Sequence, residues 1–273
     1  MKKKSYNNFF KDKNIPIDEF LENVLYNKNF GYYAKKNPFG KNGDFVTSSS
    51  ISILFSEMIA IWIISFWEKL GKPSDFKIVE LGPGNGIFYK DLIKVFKRFP
   101  DFYIKSKFYL YEKSKNLEKC QKKILKGNKI KWLSSINQIK KGPVIFFGNE
   151  FFDAIPIKQF EKKDGLIYER FIKLTKNGFL KINLKKNKNN RKIKKFNTFK
   201  NLNFIEYPEA GFKELDVIVE KVKKLDGGLL LVDYGYIKQL NKNTIQSVMK
   251  HKKNNFLNNL GNADITYLVN FKL

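Results

Sequence analysis

An apolar run from Phe76 to Leu81 breaks into three glycines at every second position, Gly82, Gly84 and Gly86, and a helical pattern begins at once with Ile87. That order is strand, tight turn, helix. Glycine serves where backbone takes positive φ or must approach a ligand closely. The helix start behind the turn offers unpaired N–H groups to whatever lies in front of it. An acid, Glu80, stands two residues ahead of the first glycine. The spacing is G-x-G-x-G rather than the G-x-G-x-x-G of a dinucleotide fingerprint. The turn therefore predicts a nucleotide-type ligand.

The pattern downstream agrees. Strand-like runs at 76–81, 107–111, 129–133, 143–147 and 228–233 alternate with helix-like runs at 87–99, 115–126 and 212–224. Such alternation predicts an α/β fold, a Rossmann-like parallel sheet with helices on both faces. Ligands of such sheets sit beyond the C-terminal strand ends. A β-rich insertion is expected at about 157–205, with short antiparallel strands joined at Lys163-Asp164-Gly165 and Lys176-Asn177-Gly178. Ahead of the sheet, residues 1–70 read as an N-terminal helical extension and covering loop, and residues 71–273 as the ligand-binding domain. The extension holds a helix at Ile17 to Tyr26, a turn-rich aromatic loop through Gly43-Asp44-Phe45, and an apolar helix from Ile51 to Trp67, with Thr47 or Ser48 as its cap.

Charge and cysteine content restrict the function classes. The formal net charge of +27 suggests a nucleic-acid surface. Yet of the 53 basic residues only Arg98, Arg170 and Arg191 are arginines, and base-edge and bidentate phosphate recognition favour arginine. The lysines are scattered among abundant Asn, Ile, Phe and Tyr, as in a proteome drifting toward AT-rich codons, so nucleic acid is the disfavoured partner. One cysteine, Cys120, leaves no room for an internal disulfide or a cysteine metal cluster and fits a reducing compartment. No secretory pattern follows Met1-Lys2-Lys3-Lys4, which predicts a cytoplasmic chain, or a mitochondrial-matrix one in a eukaryote. Ile51 to Trp67 falls short of the ~20 residues of a membrane span and carries Glu57, so it is expected to be a buried amphipathic helix rather than a membrane segment. His251, the single histidine, sits among lysines without a partner visible in sequence and reads as a surface residue.

Several acids fall at predicted strand ends. Glu112 closes the second strand, where a carboxylate can accept both hydroxyls of a ribose. Trp132 ends the third and could face an adenine or the core. Asn149-Glu150-Phe151-Phe152-Asp153 follows the fourth, and Asp233 ends the fifth. An acid followed by G-x-G-x-G is the arrangement of class I S-adenosylmethionine (SAM) methyltransferases, which this chain resembles. SAM carries an ammonium that Glu80 could organise. A guanidinium keeps its proton to a pKa above ~12, so an arginine methyl acceptor needs flanking carboxylates. Glu150 and Asp153 supply two, three residues apart.

Taken in order, Gly31-Tyr32-Tyr33, Gly43-Asp44-Phe45-Val46-Thr47, Val79 to Gly86, Asn149 to Pro156, Asp233-Tyr234-Gly235 and Ala263-Asp264-Ile265-Thr266 resemble the MidA-like family of class I SAM methyltransferases. Its mitochondrial members methylate an arginine in a subunit of respiratory complex I and assist its assembly. The resemblance implies SAM as cofactor, held by Glu80, Gly82, Gly84, Gly86, Glu112 and Trp132. It further implies a protein substrate oriented by Glu150 and Asp153, in a pocket lined by Asp44 and Asp233. Two features depart from the family: Ser49-Ser50 replaces its usual Pro-Glu, and the chain stops at Leu273 where members continue, leaving the last sheet strand in question. Two rival functions are an RNA methyltransferase, which the charge favours, and a non-catalytic assembly chaperone, which would need neither Glu80 nor Glu112.

Overall fold

The computed structural model describes residues 10, 13–35, 53–187 and 191–273. Asp44 and the expected cap at Thr47 or Ser48 lie outside the described residues. In chain order come β1 (Asn14–Pro16), α1 (Ile17–Tyr26), a helical turn at Tyr32–Lys35 and α2 (Ile53–Lys69). Then follow β2 (Phe76–Leu81), α3 (Ile87–Phe96), α4 (Pro100–Lys105), β3 (Ser106–Tyr111), α5 (Lys115–Ile124), β4 (Ile130–Leu133) and β5 (Val144–Asn149). The remainder is β6 (Lys158–Lys163), β7 (Leu166–Leu174), β8 (Leu180–Lys186), β9 (Phe204–Tyr207), α6 (Glu209–Lys224), β10 (Gly228–Val232), β11 (Gly235–Tyr236), β12 (Gln246–Met249), β13 (Lys252–Asn254), β14 (Asp264–Thr266) and β15 (Val269–Asn270).

The chain forms two compact units, one of residues 36–151 and 214–233, the other of 1–35, 152–213 and 234–273. The first is built on a five-stranded parallel sheet in the order β10-β5-β2-β3-β4. β2 is buried at all six positions, as a central strand covered on both faces must be. The chain steps outward from β2 through β3 to β4, then returns to β5 on the other side of β2. The reversal between β2 and β5 is a topological switch point, where the loops at the carboxyl ends part into a crevice.

Apolar side chains of α2 (Ala60, Ile63, Trp67) and α3 (Phe88, Leu92, Phe96) pack with Phe76, Ile78, Phe108 and Phe147 of the sheet. Within that core the Tyr89 ring stacks on Phe147, centroids 6.1 Å apart, and its hydroxyl donates to the Ile78 carbonyl at 3.2 Å. The helix expected over 87–99 ends at Phe96 because Pro100, suited to a first helical turn, opens a separate short helix. The apolar helix α2 differs from the buried one expected. It buries Ser56, Ala60, Ile63, Ile64 and Trp67 but leaves Ile53, Leu54 and Met58 more than 60% exposed. Among the described residues no helix is long and apolar enough to cross a membrane.

In the second unit the insertion takes the predicted antiparallel form, β7 pairing with β6 and β8. Its first hairpin turns through Asp164 and Gly165, both at positive φ (49° and 72°), the conformation a two-residue turn of right-handed twist requires. Two short strands complete this sheet: β9 pairs with β6, and β1 pairs with β7, Ile15 opposite Ile172. The pairing of β1 ties residues up to Lys35 to the insertion, so the compact units cut across the consecutive stretches 1–70 and 71–273 expected from sequence. Arg170 pairs with Glu161 at 2.9 Å, donates to Gln159 Oε1 at 3.0 Å and lies over the Phe204 ring at 5.0 Å. It therefore acts inside the unit. His251 sits exposed in the β12–β13 turn at φ 60°.

Candidate functional site

All three motif glycines have positive φ, 62° at Gly82, 54° at Gly84 and 84° at Gly86. A Cβ at Gly82 would lie 2.8 Å from Phe151 Cδ2, and one at Gly86, the residue before α3, 3.3 Å from Gln121 Cγ. The Gly86 N–H donates to the Pro83 carbonyl at 2.8 Å, and Asn85 Oδ1 accepts the Ile87 N–H at 3.0 Å. A Gly82→Ala substitution meets both a left-handed backbone and the Phe151 ring. It is expected to cost about 2 kcal/mol, read as a lowered denaturation midpoint, and to close the turn to ligand. A variant as stable as the wild type would show that Phe151 yields freely.

Two carboxyls flank the turn. Glu80 is 2% exposed, and its Oε2 is buried without a hydrogen-bond partner among the described residues. Burial, and then the charge of Glu112, hold the Glu80 carboxyl well above the usual carboxylate range. Glu112 follows β3. Its Oε1 accepts the Ser114 N–H at 2.6 Å and its Oε2 accepts Gln121 Nε2 at 3.0 Å. Burial raises its pKa to about 7, against those hydrogen bonds, which favour the charged form. A buried carboxyl lacking a partner is an exception that calls for a ligand or a function. Two buried acids whose pKa values burial raises, standing at one glycine turn, suit a ligand that brings positive charge, and suit a pyrophosphate poorly.

Gln121 was not singled out by the sequence reading. It is fully buried on a helix rich in lysine. Its Nε2 donates to the Gly84 carbonyl at 2.8 Å as well as to Glu112, and its Oε1 accepts Trp132 Nε1 at 2.9 Å. The signal was present: Leu117, Gln121 and Leu125 recur every fourth residue, which sets a glutamine on the apolar stripe of α5. Trp132 on β4 also lies under Lys122 Nζ, 5.3 Å from its ring.

Glu150 comes directly after β5 and has φ 53°, a left-handed conformation that costs a non-glycine residue about 1–3 kcal/mol and collects at functional sites. Its N–H donates to the Val232 carbonyl of β10 at 2.8 Å, and Asn149 Nδ2 donates to its Oε1 at 3.4 Å. Val232 is paired with Asn149, so Glu150 and Asp233 occupy the C-terminal ends of adjacent strands. Asp153 belongs to the other unit. There it is buried, and its carbonyl accepts the Tyr267 N–H at 3.2 Å. In that unit the Tyr33 hydroxyl donates to Asp264 Oδ1 at 2.9 Å. Burial first, then Asp264, Tyr26 and Asp153, push the Tyr33 hydroxyl well above its ordinary pKa. The first unit thus gathers Glu80, Gly82, Gly84, Gly86, Glu112 and Trp132 about the ends of β2, β3 and β4, with Glu150 and Asp233 one and two strands away on the other side of β2.

This sheet order, with a glycine turn at the switch point and acids closing β2 and β3, defines a nucleoside-binding α/β fold of the class I methyltransferase type. Residues 58–273 match the family model Methyltransf_28, S-adenosyl-L-methionine-dependent methyltransferase, and the chain belongs to that family. It is 28% identical to the protein arginine methyltransferase NDUFAF7 homolog, mitochondrial, of Drosophila melanogaster, over 95% of this chain and 65% of that protein. It is 30% identical to the protein arginine methyltransferase NDUFAF7, mitochondrial, of Danio rerio, over 94% of this chain and 67% of that one. The chain thus spans about two thirds of the length of these curated relatives. In fold it is similar to a Burkholderia thailandensis protein whose crystal structure contains S-adenosyl-homocysteine, with a TM-score of 0.84, 19% identity, and 98% of this chain and 73% of that one covered.

Proposed function

We propose that this chain is a SAM-dependent protein arginine N-methyltransferase that acts on a subunit of respiratory complex I during assembly. The observation that carries the cofactor is the pair of buried acids, Glu80 with an oxygen unsatisfied among the described residues and Glu112 with a raised pKa, at the glycine turn of the sheet's switch point. SAM, when bound, supplies a methyl group on a positively charged sulfur. Glu112 is suited to accept its ribose hydroxyls, Glu80 to meet its ammonium, Trp132 to border its adenine, and Gly82, Gly84 and Gly86 to let backbone stand close. The acceptor rests on the relatives named protein arginine methyltransferases. Glu150 would counter the guanidinium charge and take its proton, and Asp233, at the end of the neighbouring strand, would line the pocket. The relatives are named mitochondrial. A matrix or cytoplasmic setting, where thiols stay reduced, suits a chain whose single cysteine is Cys120.

Calorimetric titration with SAM beside NAD tests the cofactor. Binding of SAM and not NAD is expected, and no binding of SAM by the folded chain would favour the scaffold reading. Methyl-labelled SAM offered together with arginine peptides and total RNA then tests the acceptor. Label in peptide arginine supports the proposal. Label in RNA instead would revive the reading that the +27 charge favours.

A further inference from the structure

We propose that Gln121 is a positioning residue that sets the Glu112 carboxylate and the Trp132 indole for the nucleoside of the cofactor. The inference rests on the SAM reading above and goes one residue beyond it. A buried amide that lacked partners would be costly, and Gln121, with no exposed surface, has three. The partners leave its amide one orientation. An indole N–H can only donate, so Oε1 faces Trp132 at 2.9 Å and Nε2 faces the acceptors, the Gly84 carbonyl at 2.8 Å and Glu112 Oε2 at 3.0 Å. With the Ser114 N–H on Oε1, each carboxylate oxygen of Glu112 is held by a separate donor, which fixes the plane of the group. The Gly84 bond ties the middle of the glycine turn to the same amide.

The third glycine has a matching role. A Cβ at Gly86 would lie 3.3 Å from Gln121 Cγ and 3.5 Å from its Cα, so Gly86 lets α5 lie close enough for the amide to reach the turn. The motif's last glycine thus serves α5 and its glutamine. One side chain joins the turn after β2, the acid after β3 and the tryptophan of β4. Its tilt would move all three walls of the nucleoside site together.

The test uses Gln121→Met, which keeps length and removes every hydrogen bond. The SAM dissociation constant is expected to rise about tenfold, the scale of one lost hydrogen bond to a charged group. The deciding readout needs no cofactor. In ligand-free protein carrying carboxyl-labelled glutamate, the NMR titration midpoint of Glu112 is expected to move upward from about 7, because a donor favouring the charged form is gone. Its charged neighbours, Glu80 on β2 and Glu118 on α5, are unaltered in the variant. An unmoved midpoint overturns the proposal whatever the affinity does. Should Gln121→Met fail to fold, Gln121→Leu, equally without a donor and in keeping with the apolar stripe of Leu117 and Leu125, carries the same test, and the same upward movement is expected or the proposal falls. If wild-type protein does not bind SAM, the cofactor reading fails, and the Glu112 midpoint still reports on Gln121.

Discussion

Glu150→Gln is expected to lower methyl transfer by about 10²- to 10⁴-fold, the range for losing a charged group that works on the reacting atoms, while SAM affinity stays close to wild type. The two effects separate because the residues sit on different strands. The glycine turn, Glu80, Glu112 and Gln121 belong to β2, β3 and α5, whereas Glu150 stands past β5, pinned by the Val232 carbonyl at 2.8 Å. An arginine nitrogen becomes nucleophilic only as its cationic charge is countered and a proton leaves. As the nitrogen–carbon bond forms and the carbon–sulfur bond breaks, that proton must go to a base. A carboxylate serves as counter-charge and base. Glutamine keeps the shape and accepts a hydrogen bond, but carries no charge. The substitution leaves the backbone problem at φ 53° as it was, so unfolding should be unchanged. Glu150→Gly, by contrast, relieves the left-handed strain and is expected to stabilise the fold by up to about 1 kcal/mol while remaining inactive. Single-turnover transfer of labelled methyl, beside a thermal melt, reads both. Wild-type turnover in Glu150→Gln would remove Glu150 from the chemistry and pass the role to Asp233.

The parts of the molecule governed by local rules were readable from residues alone. β2 spans Phe76–Leu81 as its apolar run implied, and α3 begins at Ile87 behind Gly86 as the glycine spacing implied, because turn chemistry and periodicity act over a few residues. What sequence concealed depends on distant partners. β1 is three residues with a proline, and it becomes a strand only because Ile172, far along the chain, accepts its pairing. Glu150 and Asp153 are three apart in sequence yet fall in different compact units, since chain distance does not say where a fold turns from one body to another. Gln121 was hidden for another reason. Its neighbours Lys119, Lys122 and Lys123 mask the apolar stripe on which it sits, and only the tertiary contact with Gly84, Glu112 and Trp132 gives the amide a purpose.

Glu112 carries a prediction in pH as well as in affinity. Its pKa lies at about 7 in the folded protein against an ordinary 4.5, so between those values the folded state holds a proton that the unfolded chain has released. The stabilisation linked to that proton is complete below about pH 4.5 and is lost as pH rises through 7. A displacement of this size corresponds to about 3 kcal/mol, and Glu112→Gln, which cannot titrate, should lack that part of the decline. The ligand reverses the sense. A ribose-accepting carboxylate must be charged, so SAM affinity should weaken about tenfold for each pH unit below 7 and level off above it. Glu112→Gln should bind SAM at least tenfold more weakly at pH 8, having lost an acceptor for a hydroxyl donor, and its affinity should be nearly flat in pH. Calorimetry across pH 5.5–8.5 on wild type and variant, with melts of the ligand-free forms, measures both slopes. If wild-type affinity is flat across that range, Glu112 does not receive the ribose. If instead the affinity slope persists in Glu112→Gln, the proton belongs to Glu80, whose buried carboxyl then becomes the cofactor's principal counter-charge.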